Sequence, residues 1–261
     1  MTILDEIAEH ARYRVIQAKE NIPENTMRQM AESMERGDML FEQALKKPGL
    51  SFILECKKAS PSKGIIAQEY DPLSIAKEYE AAGCDAISVL TEPKWFLGKD
   101  EYLREIAATV SVPVLRKDFI VDEYMIYEAK VLGASAVLLI VSLLSYDEIR
   151  DYISICNALG LSALVEVHDA TEAETAVSAG AGIIGVNNRN LKDFSVDTKN
   201  AARLRMNIPR DILFVSESGV RDASDIKNIV SFGADAVLVG ETMMRAKDKK
   251  EALAVLKGGL L

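Results

Sequence analysis

The chain has 261 residues, 49% hydrophobic and 27% charged, which leaves room for a sizeable core in one large domain or two small ones. A net charge of −9 argues against nucleic acid as the main partner, and three cysteines in no CxxC or Cys/His spacing suggest neither a disulfide framework nor a zinc site. The first seven residues are acidic and amphipathic where a signal peptide is basic and then apolar, and no stretch is long enough to cross a bilayer, so a cytoplasmic protein without a membrane partner is expected.

Residues 1–48 read as a helical extension packed on the domain that follows. Ile3, Ile7, Ala11 and Val15 recur at helical spacing, and Met27, Met30 and Met34 with Leu40, Phe41 and Leu45 suggest a second amphipathic piece before Pro48 and Gly49. The methionine stripe reads as core or docking surface.

From Ser51 onward, apolar runs of strand length alternate with helical patterns. Strands are expected over Ser51–Lys57, Asp85–Leu90, Val112–Lys117, Ser135–Val141, Ser162–Val167, Gly182–Asn187, Ile212–Ser216 and Asp235–Val239. Between them lie helical stretches such as Pro72–Ala82, Asp122–Leu132, Tyr146–Leu159, Glu172–Ala179 and Ala223–Phe232. Eight strands, each followed by a helix, predict that residues 49–261 form a single (β/α)8 TIM barrel. An internal repeat agrees: Gly83, Gly133, Gly180 and Gly233 each end a helix ahead of an apolar run, spaced by two βα units, marking strands two, four, six and eight.

Such barrels place their chemistry where strands end and helices begin. Strand one ends in Glu55 and Lys57, two residues apart and therefore on one face, where unpaired ions are costly to bury. Strand three ends in Lys117-Asp118, strand five in Glu166 and His168, strand six in Asn187-Asn188-Arg189, and strand seven in Ser216-Glu217-Ser218-Gly219. Several charged endings converging on one mouth mark a site better than any one alone. The turns Ser216–Val220 and Val239–Thr242 pair a glycine and a hydroxyl with a following helix, which suits phosphate, although ordinary capped turns use the same letters. His10 and His168 are far apart and suggest no metal set, and His168 reads as a solvated loop residue without a direct role. No P-loop, dinucleotide fingerprint or GxSxG elbow is present. What remains is a cofactor-free lysine and glutamate acid–base enzyme for a phosphorylated small molecule, with a Schiff-base lysine as the competing chemistry.

Five segments in order, beginning at Glu55-Cys56-Lys57-Lys58-Ala59-Ser60-Pro61-Ser62, Leu115-Arg116-Lys117-Asp118-Phe119-Ile120, Val165-Glu166-Val167, Asn187-Asn188-Arg189-Asn190-Leu191 and Ser216-Glu217-Ser218-Gly219, resemble the signature segments of the indole-3-glycerol phosphate synthase family. The resemblance spans the whole chain, extension included. It implies a barrel that closes the pyrrole ring of indole from 1-(2-carboxyphenylamino)-1-deoxyribulose 5-phosphate, releasing carbon dioxide and water. It also implies that no cofactor is needed, because the substrate is its own electron sink.

The resemblance further implies roles. Lys117 is similar to the family's general acid, Lys57 lies where it could hold the substrate's anionic groups or share that role, and Glu166 matches the acid–base residue of the dehydration. Glu55, Asn187 and Glu217 match positions that orient the lysines and the substrate hydroxyls. Arg189, Ser218, Gly219, Gly240 and Glu241 fall where the family holds phosphate, Glu241 through its backbone N–H, and Ser60 resembles another contact on that side. Leu90, Phe96, Leu115, Phe119, Leu138, Leu191 and Val239 correspond to apolar walls for the anthranilate ring, a role that plain barrel packing would also explain. Asn190 departs from the pattern, since many members carry Asp after the arginine; a neutral amide there could alter how Arg189 is held. The chain is expected to act as a monomer, with a weak homodimer as the alternative. Another phosphate-binding barrel, such as phosphoribosylanthranilate isomerase, is the rival enzyme and should lack the Glu55–Lys57 pair; an inert phosphate-ligand-binding protein is the rival from another class.

Overall fold

The computed structural model describes residues 2–190 and 194–260. Helix α1 (Ile3–Asn21) starts on a reciprocal cap, in which the Thr2 hydroxyl accepts from the Asp5 N–H and the Asp5 carboxylate accepts from the Thr2 N–H. The expected second piece is divided into α2 (Glu24–Ser33) and α3 (Leu40–Leu45). Between them the backbone docks on the barrel, with Gly37 N–H donating to Leu159 O at 3.0 Å. A Cβ on Gly37 would lie 2.5 Å from the Gly160 carbonyl oxygen, so this approach requires glycine. Within α2 Met27 is buried and Met30 exposed, and Met34 and Leu40 beyond that helix are exposed as well, so of the methionine stripe only Met27 is core.

The barrel strands are β1 (Ser51–Cys56), β2 (Ala86–Leu90), β3 (Val114–Lys117), β4 (Ala136–Ile140), β5 (Ser162–Val167), β6 (Ile183–Asn187), β7 (Leu213–Glu217) and β8 (Ala236–Val239). They pair in parallel in sequence order, and β1 bonds to both β2 and β8, closing the sheet. Strands β1 and β5 start at Ser51 and Ser162 as expected, while the other six start a residue or two later. In two of those starts an aspartate works as a cap instead: Asp85 accepts from Phe52 N–H at 2.9 Å and Asp235 from Phe214 N–H at 2.8 Å.

Outside the strands lie α4 (Pro72–Ala82), α5 (Asp100–Ala107), α6 (Tyr124–Val131), α7 (Tyr146–Leu159), α8 (Ala170–Ser178), α9 (Asn200–Arg205), α10 (Ala223–Ser231), α11 (Glu241–Arg245) and α12 (Lys249–Lys257). Of these, α5, α9, α11 and α12 were not among the stretches singled out by periodicity; α9 and α11 are too short to show one. The four repeat glycines all adopt φ between 78° and 89°, the left-handed turn that ends a helix before the next strand.

Strand side chains alternate between two apolar layers. Val89, Val137, Val165 and Val237 face the helices, whereas Ile53, Leu115, Leu164, Ile183 and Val215 fill the barrel interior. Phe41 and Leu45 of α3 join the inner layer at the end where strands begin, held by the Glu42 N–H bond to Ser162 Oγ and the Ser51 Oγ bond to Ala44 O. Helix α1 passes the opposite end, where Ile3, Leu4 and Ile7 border the mouth.

Candidate active site

Two residues beyond the inner apolar layer, the same inward register carries charge. Ile53 leads to Glu55 and Lys57, Leu115 to Lys117, Leu164 to Glu166, and Val215 to Glu217, so alternation places all five polar side chains in the barrel mouth. Asn187 stands opposite Glu217 and Glu166 opposite Gly185 in the strand registers. That glycine makes room: a Cβ on Gly185 would lie 2.1 Å from Glu217 Oε1. The mouth opens into a cleft of about 630 Å³.

Lys117 is the centre of the charge arrangement. Its Nζ lies 3.4 Å from Glu217 Oε2 and 3.6 Å from Glu166 Oε2. Burial opposes the ammonium, but Glu217, Glu166 and Glu55 together outweigh it and raise the lysine's proton affinity. Lys57 contacts Glu55 directly, and although burial works against that carboxylate, Lys57 and then Lys117 hold it below the usual range. Glu166 and Glu217 are driven apart. Burial disfavours both as anions, yet Lys117, His168 and Asn187 pull Glu166 down, whereas the negative charges of Glu166 and Glu55 leave Glu217 raised. The floor therefore combines a firmly protonated lysine, an ionised glutamate and a glutamate that readily holds a proton.

The residues expected to hold phosphate also gather on this cleft. Ser218 and Gly219 adopt φ of 65° and 96°, and a serine in the left-handed region is a strained placement that the Asn188 Nδ2 bond to Ser218 O, at 3.1 Å, helps to hold. Arg189 and Ser60 line the same wall, with the Arg189 guanidinium donating to Phe194 O at 3.0 Å. Glu241 engages Arg245 at 3.0 Å and lies 3.7 Å from Lys63, so its carboxylate is turned to cations at the rim. Gly240 has a second reason to be glycine: a Cβ there would lie 2.5 Å from Glu55 Oε2 and 2.9 Å from Lys57 Nζ.

On the opposite wall Leu90, Phe96, Phe119 and Leu138 line the cleft, with the rings of Phe96 and Phe119 5.9 Å apart. Leu115 does not line it, because it sits one inward layer below Lys117 and is fully buried in the barrel core. Val239 borders the cleft but belongs to the helix-facing layer, one residue out of the inward register. Leu191 lies outside the described residues.

Several residues escaped sequence reasoning. His168 is largely buried, not a solvated loop residue: Nε2 lies 3.3 Å from Glu166 Oε1 and Nδ1 3.0 Å from Glu172 Oε2. Its two-residue spacing from Glu166 was the available signal. Glu92, buried at the end of β2, accepts from the N–H groups of Lys94, Trp95 and Phe96 and so sets the loop that presents Phe96. Arg116, fully buried behind Lys117, bonds Asp100 at 2.9 Å and Glu128 at 2.7 Å. Among the described residues no group of three or more His, Cys, Asp or Glu is placed to hold a metal ion, and the three cysteines are free and buried.

The family model for indole-3-glycerol phosphate synthase matches residues 4–256. A protein of that name from Ruminiclostridium cellulolyticum is 52% identical over 257 residues, covering 98% of this chain and 99% of the relative. Those from Lactiplantibacillus plantarum and Lachnoclostridium phytofermentans are 49% and 46% identical, covering 99% and 98% of this chain and 99% and 98% of the relatives. Among solved structures, 3-hexulose-6-phosphate synthase superposes with a TM-score of 0.67 at 16% identity, covering 81% of this chain and all of that one. Thiamine phosphate pyrophosphorylase from Pyrococcus furiosus gives 0.62 at 15%, covering 84% and 97%. These two likenesses speak to the barrel fold alone.

Proposed function

Because this chain belongs to the indole-3-glycerol phosphate synthase family, we propose that the residues converging on the barrel mouth carry out that family's reaction in the roles given below. The reaction is a carboxy-lyase step of tryptophan biosynthesis: 1-(2-carboxyphenylamino)-1-deoxyribulose 5-phosphate closes to indole-3-glycerol phosphate, carbon dioxide and water.

The observation that carries the assignment is Lys117 Nζ standing between the Glu166 and Glu217 carboxylates at the floor of the cleft. The aryl carbon bearing the carboxylate attacks the C2′ ketone, and the ketone oxygen becomes an alkoxide unless a proton is supplied. Lys117 donates to that oxygen. Its raised proton affinity suits a hydrogen-bond donor that stays charged until the alkoxide develops, and disfavours a neutral amine nucleophile. Lys57, steadied by Glu55, faces the substrate's anionic groups. Attack leaves a cationic ring, and loss of carbon dioxide returns the bonding electrons to it.

The C2′ hydroxyl then takes a proton from a charged lysine of the floor and leaves as water, and C1′ gives up a proton, which makes the new pyrrole ring aromatic. Glu166, ionised in the free site, takes that proton, while Glu217, which holds a proton more readily, orients the hydroxyls together with Asn187. Arg189, Ser218, Gly219, Ser60 and the backbone at Gly240 and Glu241 hold the phosphate. Leu90, Phe96, Phe119 and Leu138 clasp the anthranilate ring, and Ile3, Leu4 and Ile7 of α1 close over it. We place the enzyme in the cytoplasm as a monomer, which light scattering on the purified chain checks.

The test is indole fluorescence on mixing the protein with the carboxyphenylamino substrate, without metal or cofactor, beside Lys117→Ala. Growth that vanishes in the variant supports the assignment, and bound substrate without turnover in the unaltered chain contradicts it.

A further inference from the structure

The roles above leave His168 unused, yet it is the most closely held side chain at the end of β5. Its backbone N–H donates to Glu172 Oε2 at 2.7 Å, its Nδ1 lies 3.0 Å from the same oxygen, and its carbonyl accepts from Asn200 Nδ2 at 3.0 Å. Glu172 is fixed in turn, because it sits in the first turn of α8 with its N–H bonded to Asp169 at 2.9 Å. The free edge of the ring, Nε2, is buried, lies 3.3 Å from Glu166 Oε1, and has no aligned hydrogen-bond partner among the described residues. The two oxygens of Glu166 are thereby divided: Oε1 meets His168, and Oε2 meets Lys117 at 3.6 Å.

We propose that His168, anchored by Glu172, is a positioning residue for the reaction, holding Oε1 of Glu166 so that the carboxylate stays ionised with Oε2 directed at the substrate. The inference rests on the role given to Glu166 above. It is the arrangement of an imidazole fixed by one carboxylate and presenting its other nitrogen to the reacting group. Burial opposes charge on the ring, but Glu166 and Glu172 outweigh it and lift His168 to about 10, so both nitrogens carry protons near neutral pH.

The charged and amide groups of the cleft floor are Glu55 on β1 and Lys57 just after it, Lys117 on β3, Asn187 on β6 and Glu217 on β7, with Asp118, Arg189 and Glu241 farther along the same cleft, while β2, β4 and β8 contribute Leu90, Leu138 and Leu238. Lys57 is engaged by Glu55, and Lys117 is shared with Glu217. Removing the imidazolium would leave Glu166 with that shared lysine as its nearest cation. A purely structural histidine would support the start of α8 without altering Glu166 at all.

The experiment uses the full chain labelled with 13C-carboxyl glutamate, with the Glu166 resonance assigned through Glu166→Gln. His168→Gln should raise the Glu166 titration midpoint by about one pH unit or more and lower kcat about tenfold, with KM within about twofold. Glu172→Gln should move both in the same direction by less, and decides the matter in the same way should His168→Gln fail to fold. An unmoved midpoint overturns the inference even if thermal stability falls, and so does a moved midpoint with unchanged kcat. Full turnover by Glu166→Gln would remove the role of Glu166 and this inference with it. A slow Glu166→Gln beside an unmoved midpoint removes the inference alone.

Discussion

Arg14 of α1 donates through both terminal nitrogens to Asp118, at 2.7 and 3.1 Å, and Asp118 directly follows Lys117 in the chain. Asp118 also accepts from Thr91 Oγ1 at 2.6 Å and from the Phe119 N–H at 2.8 Å. With Arg116 anchored to Asp100 and Glu128 on the other side, both neighbours of Lys117 are locked behind the barrel wall. The N-terminal extension thus takes part in placing Lys117, the residue proposed as general acid.

Arg14→Met should test that coupling. It removes the closest cation from a fully buried carboxylate that keeps Thr91, the Phe119 N–H and Arg116 at 3.9 Å, so urea unfolding is expected to show a loss of about 3 kcal/mol. Steady-state kinetics should show a fall in kcat that exceeds any rise in KM, because Lys117 moves and the phosphate wall does not. Loss of stability with unaltered kcat would mean that Arg14 only glues the helix down.

Gly240→Ala separates packing from phosphate binding. The new Cβ meets the ends of the Glu55 and Lys57 side chains, which must shift as a pair, so the stability cost should be about 1–3 kcal/mol. Displacing the pair should nevertheless lower kcat about tenfold or more. Inorganic phosphate affinity, read by calorimetry, should change little. A large loss of phosphate affinity with normal kcat would reverse the two roles.

Lys117→Ala and Ser218→Asp should fail in different ways. The first removes the proposed proton donor and should cut turnover by about a thousandfold, with product affinity largely kept. The second sets a carboxylate against the phosphate and should weaken product binding by at least about tenfold. Equal losses of affinity in both, measured by titration calorimetry, would count against the assignment.

Stability should carry a signature of His168. Its proton affinity is raised on folding, from 6.5 to about 10, so its stabilising contribution is complete below pH 6.5 and is lost as pH rises through about 10. Urea midpoints should therefore fall between pH 7 and 10 more steeply for the unaltered chain than for His168→Gln. Parallel curves would show that folding leaves the histidine's ionisation unchanged.

Much of this protein is written in short-range pattern. The eight strands, the helix-ending glycines and the inward register of Glu55, Lys57, Lys117, Glu166, Asn187 and Glu217 follow from periods of two and 3.6 residues and from where apolar runs stop. These signals survive in sequence because alternation and capping are properties of a few consecutive residues. The family resemblance rested on the same strand ends.

Tertiary structure alone decided the rest, since those relationships join residues that meet only when the barrel closes. Arg14 reaches Asp118 across 104 positions, and Gly37 lies against Gly160 because α2 and α3 are separate elements. Leu115 has the right face for a pocket wall but the wrong depth, and depth along a strand depends on which side chain stacks above it. His168 looked like loop because its partners, one on its own strand and one on the next helix, become a clamp only once burial removes the water that would otherwise solvate all three.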